Sequence, residues 1–310
     1  MSTPEFTEDL EQQGGSPVGV VPLLWDLTQA RPETVLGEIS DLGLLGVQWQ
    51  EPFAGRTAEY GLWVAEVYAA VECDADGPSP EAPDALRRRL ERLDELDGDV
   101  LVVACDGASV RDGWAGRAQS AETPRLTVRG WRRLAAVVDG IADQARSLGR
   151  TVAFHAHAGT WVESPEELAG LLEVTDPESV GVCLDTGHHL VGGADPVADI
   201  AAYGRRITHV HLKDVVGSVL AALVEGEVSG FQEAVERRVF CPLGQGVLDL
   251  PGVLRGLHDL GYDGWLMLEQ DSAWQPATEA VAASLSALTA ALRELSWRNP
   301  LESGAPRQTL

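Results

Sequence analysis

The segment Ile207-Thr208-His209-Val210-His211-Leu212-Lys213-Asp214 sets two imidazoles at alternate positions of an apolar run and closes on an ammonium and a carboxylate. Residues two apart on a strand share a face, so His209, His211 and Lys213 point one way and Thr208, Val210 and Leu212 the other. Three further segments repeat the design: Phe154-His155-Ala156-His157, Cys183-Leu184-Asp185-Thr186-Gly187-His188-His189 and Met267-Leu268-Glu269-Gln270-Asp271. Each is a short apolar run that ends in groups able to bind metals or move protons. Working outward, strands are expected over 18–24, 46–50, 63–71, 100–105, 151–157, 181–185, 207–212, 239–242 and 265–269. Helices are expected between them, over 32–42, 83–96, 128–148, 164–174, 196–203, 251–260 and 278–295. Several strand runs are continuously apolar, as in a parallel sheet covered on both faces.

Entry and exit signals support the helices. Ser164-Pro165-Glu166-Glu167 places a serine cap, a proline at the first helical position and an acid at the third; Asp195-Pro196 and Leu250-Pro251 use the same proline device. Gly43, Gly149 and Gly261 mark exits. About eight βα units over this length predict a single (β/α)8 barrel spanning 18–297, between loose ends at 1–17 and 298–310. A doubly wound open sheet is disfavoured because no Gly-x-Gly-x-x-Gly turn follows the first strand. The stretch 215–238 is long for a connection and reads as a lid.

The chain has 310 residues, 45% of them hydrophobic, enough for a full-sized core. Lys and Arg total 23 against 48 Asp and Glu, a formal charge of −25, which argues against nucleic acid and anionic lipid as partners. The only lysine is Lys213. Cys73, Cys105, Cys183 and Cys241 form no Cys-x-x-Cys pair and read as reduced thiols of a cytoplasmic protein. A homo-oligomer is compatible with this composition.

Spacing joins the four segments. From His157 to Asp185 is 28 positions, from Asp185 to His211 is 26, and from His211 to Glu269 is 58. One βα unit takes roughly 30 residues, so these gaps read as one, one and two units, and all four groups fall on the C-terminal rim of one barrel. Imidazoles and carboxylates brought to one buried point need a cation or substrate to offset their desolvation. Ligands without thiolate suit Mn²⁺, Co²⁺, Mg²⁺ or Zn²⁺. Asp185, His211 and Glu269 are metal candidates, with His155 or His157 as the fourth. His157, His188, Lys213 and Glu269 are candidates for proton transfer. Trp25, Gln48, His188 and Lys213 are candidates for touching substrate, and Glu163 and Asp214 for supporting roles. His189 and His258 read as structural, and Gly244-Gln245-Gly246 as a tight strand exit rather than a phosphate loop.

Leu184-Asp185-Thr186-Gly187-His188, Gly193-Ala194-Asp195-Pro196 and His209-Val210-His211-Leu212-Lys213-Asp214 resemble the sugar-phosphate isomerase/epimerase superfamily, whose members are xylose-isomerase-like TIM barrels. Phe154-His155-Ala156-His157-Ala158-Gly159-Thr160 and Gly261-Tyr262-Asp263-Gly264-Trp265 with Glu269-Gln270-Asp271 are similar to the inosose dehydratase branch. The likeness is dense over 151–271 and thin before it. It implies metal held by His155, Asp185, His211 and Glu269, with His155 standing where most of the superfamily has Glu. Gln48, Val216 and Gln245 also depart from the pattern, all of them around the substrate position. The resemblance implies a lyase that dehydrates a keto-polyol through an enediolate. Two rivals use the same barrel: a sugar or cyclitol isomerase/epimerase, and a non-catalytic subunit. A DNA-repair endonuclease on this fold would need a basic groove, which the charge does not provide.

Overall fold

A computed structural model describes residues 16–107, 109–272, 275–295 and 297. Of the loose ends expected at 1–17 and 298–310, residues 1–15 and 298–310 lie outside the described residues. Eight parallel strands close into a barrel: β1 (Val18–Val20), β2 (Gly46–Gln48), β3 (Trp63–Val71), β4 (Val100–Cys105), β5 (Thr151–His155), β6 (Val180–Asp185), β7 (Ile207–Leu212) and β8 (Leu266–Leu268). Spatial order follows chain order, and β1 closes on β8 through Val18–Leu266 and Val20–Leu268 pairing. The single (β/α)8 barrel is therefore confirmed.

The main helices are α1 (Pro32–Asp41), α2 (Ala82–Glu95), α3 (Val128–Ser147), α4 (Pro165–Val174), α5 (Thr186–Val191), α6 (Pro196–Tyr203), α7 (Gly217–Val224), α8 (Phe231–Glu236), α9 (Leu250–Leu260) and α10 (Ala277–Glu294). On α3, Leu134, Val138, Ile141 and Ala145 recur at helical spacing and are buried against the barrel. Each large side chain so buried contributes about 1.5–3 kcal/mol. The predicted capping box on α4 is present, Ser164 and Glu167 each satisfying the other's backbone N–H. Gly261 ends α9 at φ +74°, which only glycine adopts without strain. Between β2 and β3 two 3₁₀ turns, Glu51–Phe53 and Thr57–Tyr60, stand in place of a helix. No helix among the described residues is long and apolar enough to cross a membrane.

Two expectations need correction. The segment expected as a strand over 239–242 is not in the barrel: Phe240–Cys241 pairs antiparallel with Asp214–Val215 in a separate two-stranded sheet. Consequently β7 and β8 are neighbours, and the 58 positions between His211 and Glu269 contain one βα unit enlarged by an insertion rather than two units. Apolar character alone could not separate the two cases, because this short pair packs in its own buried cluster with Val191, Leu223, Val228 and Ala234. The first strand is also shorter than expected, since Pro22–Leu24 turns as a 3₁₀ helix.

The barrel's lower interior is filled by Trp265, Met267, Ala65 and Val21. Gly46 makes room there: a Cβ on it would come within 2.5 Å of the Trp265 ring. Above this plug the interior turns polar, and Glu66, His155, Asp185, His209, His211 and Lys213 are all buried.

Candidate metal centre

Four adjacent strands build the site. His155 is the last residue of β5 and Asp185 the last of β6; His211 pairs with Asp185 across β6 and β7; Glu269 follows β8. One ligand atom from each of His155, Asp185, His211 and Glu269 lies within 4.8 Å of all the others. Asp185 Oδ2 is 3.4 Å from His155 Nε2 and 3.6 Å from His211 Nδ1, and His211 Nδ1 is 2.6 Å from Glu269 Oε2. Asp185 Oδ2, His211 Nδ1 and Glu269 Oε2 are nonetheless buried without a hydrogen-bond partner. Buried lone pairs that converge without bonding one another are what a divalent cation requires, so the residues fit one.

His211 belongs to two other close groups, and chemistry separates them. With His155 and Cys183 it would form an imidazole–thiol set. Burial pushes the Cys183 thiol up to about 12, which disfavours the thiolate that a cation would need there. With Glu66 and His209 it is already hydrogen-bonded: Glu66 Oε2 lies 2.8 Å from His211 Nε2 and is also bonded to His209 Nε2.

Asp185, His211 and Glu269 are each held from behind, by the His188 N–H, Glu66 and Lys213. Asp185 caps α5, its Oδ1 accepting the His188 backbone N–H at 2.7 Å, which leaves Oδ2 for the centre. Thr186 ties the ends of β6 and β7 together, accepting from the Lys213 N–H at 2.9 Å and donating to the Lys213 carbonyl at 2.8 Å. The Lys213 stem crosses Gly187, where a Cβ would meet Lys213 Cγ at 2.6 Å. Its Nζ reaches Asp185 at 3.3 Å, Glu269 at 2.9 Å and Asp271 at 2.9 Å, and lies 4.7 Å from the Phe240 ring. Burial would lower the ammonium pKa; Asp185, Asp271 and Glu269 more than offset it and raise it well above the ordinary value. Lys213 is thus a fixed cation and hydrogen-bond donor. Burial likewise raises Glu269, but Lys213 and His211 hold it at about 2, whereas Asp271, for which burial dominates, sits at about 6.

His157 and His188 stack with ring centroids 3.8 Å apart, beside the adjacent rings of Phe231 and Phe240. The backbone of one residue, Ala158, sets both tautomers. Its carbonyl lies 2.8 Å from His157 Nδ1, which must carry hydrogen, and its N–H donates to His188 Nδ1 at 3.1 Å, which must not. His157 therefore offers a lone pair at Nε2 and His188 an N–H. Burial, aided by His155 and Lys213, pushes His157 down to about 3; burial, with His157 and Lys213, also holds His188 well below the ordinary value.

The remaining sequence candidates fall elsewhere. Trp25 is anchored by its Nε1, which donates to Glu38 of α1 at 2.7 Å. Gln48 points at Glu66, donating to Oε1 at 2.5 Å. Glu163 supports the rim, accepting from the Gly116 and Gly159 N–H groups at 2.7 Å each. Asp214 organises the Gly244–Gly246 turn, accepting from the N–H groups of Val215, Gly244, Gly246 and Leu248. His189 bonds Asp199 and is structural, as expected. Sequence reasoning missed Glu66, whose only signal is a carboxylate in the middle of an apolar nine-residue strand, and gave Asp271 no role.

The barrel, its polar upper interior and the four candidate ligands at the strand ends define a class. The chain belongs to the xylose isomerase-like TIM barrel family, whose family model matches residues 38–291. Within that family it is similar to the inosose dehydratase of Geobacillus kaustophilus, 32% identical over 273 residues that cover 82% of this chain and 87% of that protein. The rhizopine catabolism protein MocC of Rhizobium meliloti is 36% identical over 252 residues, covering 77% of this chain and 74% of its own. A solved D-allulose 3-epimerase from Methylomonas sp. shares the fold at TM-score 0.66 and 15% identity, over 90% of this chain and 99% of that one.

Proposed function

We propose that this chain is a divalent-metal-dependent dehydratase of a keto-polyol of the inosose type. The observation that carries the reading is the meeting of His155, Asp185, His211 and Glu269 from four adjacent strands, with lone pairs left unbonded at their centre. A cation held there supplies Lewis-acid polarisation of a ketone and its neighbouring hydroxyl. The similarity to inosose dehydratase over most of the chain supports the substrate class.

The chain's own groups supply the proton traffic. His157 Nε2, unprotonated by virtue of its bond to Ala158, takes the proton α to the carbonyl and leaves an enediolate. The imidazolium so formed, disfavoured by burial and by Lys213, gives that proton to the departing β-hydroxyl, so water leaves and the enol of a dione remains. Lys213 Nζ and His188 Nε2–H donate hydrogen bonds to oxygens that gain charge. Phe231 and Phe240 wall the histidine pair and exclude water from it.

An isomerase or epimerase reading uses the same enediolate, and the geometry gives it one support: a single base that takes a proton can return it to carbon. Incubation with keto-inositols and ketohexoses plus Mn²⁺ or Co²⁺ in deuterated water separates the two. Dehydration yields a dione absorbance, whereas epimerisation yields deuterium at carbon with every hydroxyl kept. Asp185→Asn is expected to lower turnover at least 100-fold, since it removes a ligand charge. Equal turnover by the parent and Asp185→Asn would falsify the assigned centre.

A further inference from the structure

We infer that Glu66 is the positioning residue for His211, holding the ring so that Nδ1 faces the cation. The inference rests on the reading that His155, Asp185, His211 and Glu269 bind a divalent ion.

Glu66 lies inside the barrel in the middle of β3 and is completely buried. Its Oε2 bonds His209 Nε2 and, at 2.8 Å, His211 Nε2; its Oε1 accepts from Gln48 Nε2 at 2.5 Å. Gln48 Oε1 in turn accepts from Gln50 Nε2 at 2.5 Å, so the chain of bonds runs out to a half-buried position at the rim. A carboxylate only accepts, and the three contacts on Glu66 therefore require hydrogen on each partner. Hydrogen on His211 Nε2 is thereby fixed, and Nδ1 is the ring nitrogen that faces Asp185 and Glu269 and is left for the cation. A carboxylate behind a ligating imidazole orients the ring and raises its basicity.

Packing does not account for the arrangement. A carboxylate and two imidazoles inside a barrel cost more to bury than apolar side chains of the same volume, so a purely structural position would favour the latter. The bond also explains why Gln48 turns away from the rim. His209, whose Nδ1 has no partner, shares Oε2 with His211 and lies with its ring 5.3 Å from the His211 ring. It fixes the carboxylate from the side opposite Gln48.

The test titrates chelator-stripped protein with Co²⁺ alone and reads affinity by calorimetry. Glu66→Gln is expected to bind about 10–100-fold more weakly than the parent, with the far-UV circular dichroism unchanged. Glu66→Asp keeps the carboxylate on a shorter stem and is expected to bind more tightly than Glu66→Gln; a space-filling role predicts the opposite order. In protein loaded with diamagnetic Zn²⁺, ¹H–¹⁵N ring correlations, with His211 assigned by its loss in His211→Asn, should place hydrogen on Nε2 alone in the parent. Hydrogen on His211 Nδ1, or equal Co²⁺ affinity in the parent and Glu66→Gln, overturns the inference while leaving the metal centre standing. Should Glu66→Gln not fold, Gln48→Met removes only the outer support and is expected to weaken Co²⁺ several-fold; unchanged affinity there overturns it equally. A parent that binds no divalent ion overturns both the metal reading and this one.

Discussion

Glu163 shows how a residue beside the chemistry shapes the response to pH. Both of its carboxyl oxygens are bonded to backbone N–H groups, yet burial dominates and raises it to about 7 from an ordinary 4.5. A raised folded-state value means that the folded chain binds the proton more tightly than the unfolded one, so protonation favours folding. The contribution is full below about 4.5 and disappears as pH rises through about 7. The size expected from such a shift is about 3 kcal/mol. Urea unfolding at pH 4.5 and pH 8 checks this: the stability difference between Glu163→Gln and the parent should move by that amount between the two pH values, in favour of the variant at pH 8. A difference independent of pH would show that Glu163 titrates normally. At this scale the sequence was most informative where chemistry is scarce. Asp185, His211, Glu269 and Lys213 stood out because a charged group ending an apolar strand has little structural excuse. Glu66 did not, because a single acid inside a strand looks like an exposed face until the barrel closes around it.

Among the elements, the segment leading from β4 is anchored to the start of α4 by a buried ion pair. Arg111 donates to both oxygens of Glu167 at 3.0 Å, with its guanidinium shielded from solvent, and Glu167 also closes the capping box of α4. Removing one partner leaves a buried charge unpaired, so Glu167→Ala should destabilise the fold by about 3–5 kcal/mol. The midpoint and slope of a urea titration measure it; a loss below 1 kcal/mol would mean that Arg111 finds water. This loop also carries Gly116, which donates to Glu163, so the same variant should loosen the rim. Helix starts and ends were legible because capping and φ > 0 are local properties, written in Ser164, Pro165 and Gly261. The insertion was legible only as excess length. Its two short helices and its pairing of Phe240 with Val215 depend on contacts made with residues far away in the chain.

For the whole molecule, a cation held by His155, Asp185, His211 and Glu269 would act as a clasp across half of the barrel, since those side chains come from β5, β6, β7 and the end of β8. Anything that binds the folded chain and not the unfolded one stabilises it, by about 2.7 kcal/mol at a free concentration 100 times the dissociation constant. Mn²⁺ or Co²⁺ should therefore raise the thermal midpoint, EDTA should reverse the gain, and Asp185→Asn should show neither effect. A midpoint insensitive to added ion would remove the clasp. The sequence by itself determined the βα alternation, the barrel, the strand-end chemistry and the acidic surface, because these follow from local periodicity, capping and composition. Only the tertiary structure decided that β7 and β8 are neighbours, that Gln48 bonds Glu66 and Trp25 bonds Glu38, and that Ala158 sets opposite tautomers on His157 and His188. Those outcomes depend on which distant groups meet inside a closed sheet, and a hydrogen bond across the barrel leaves no trace in the spacing of residues along the chain.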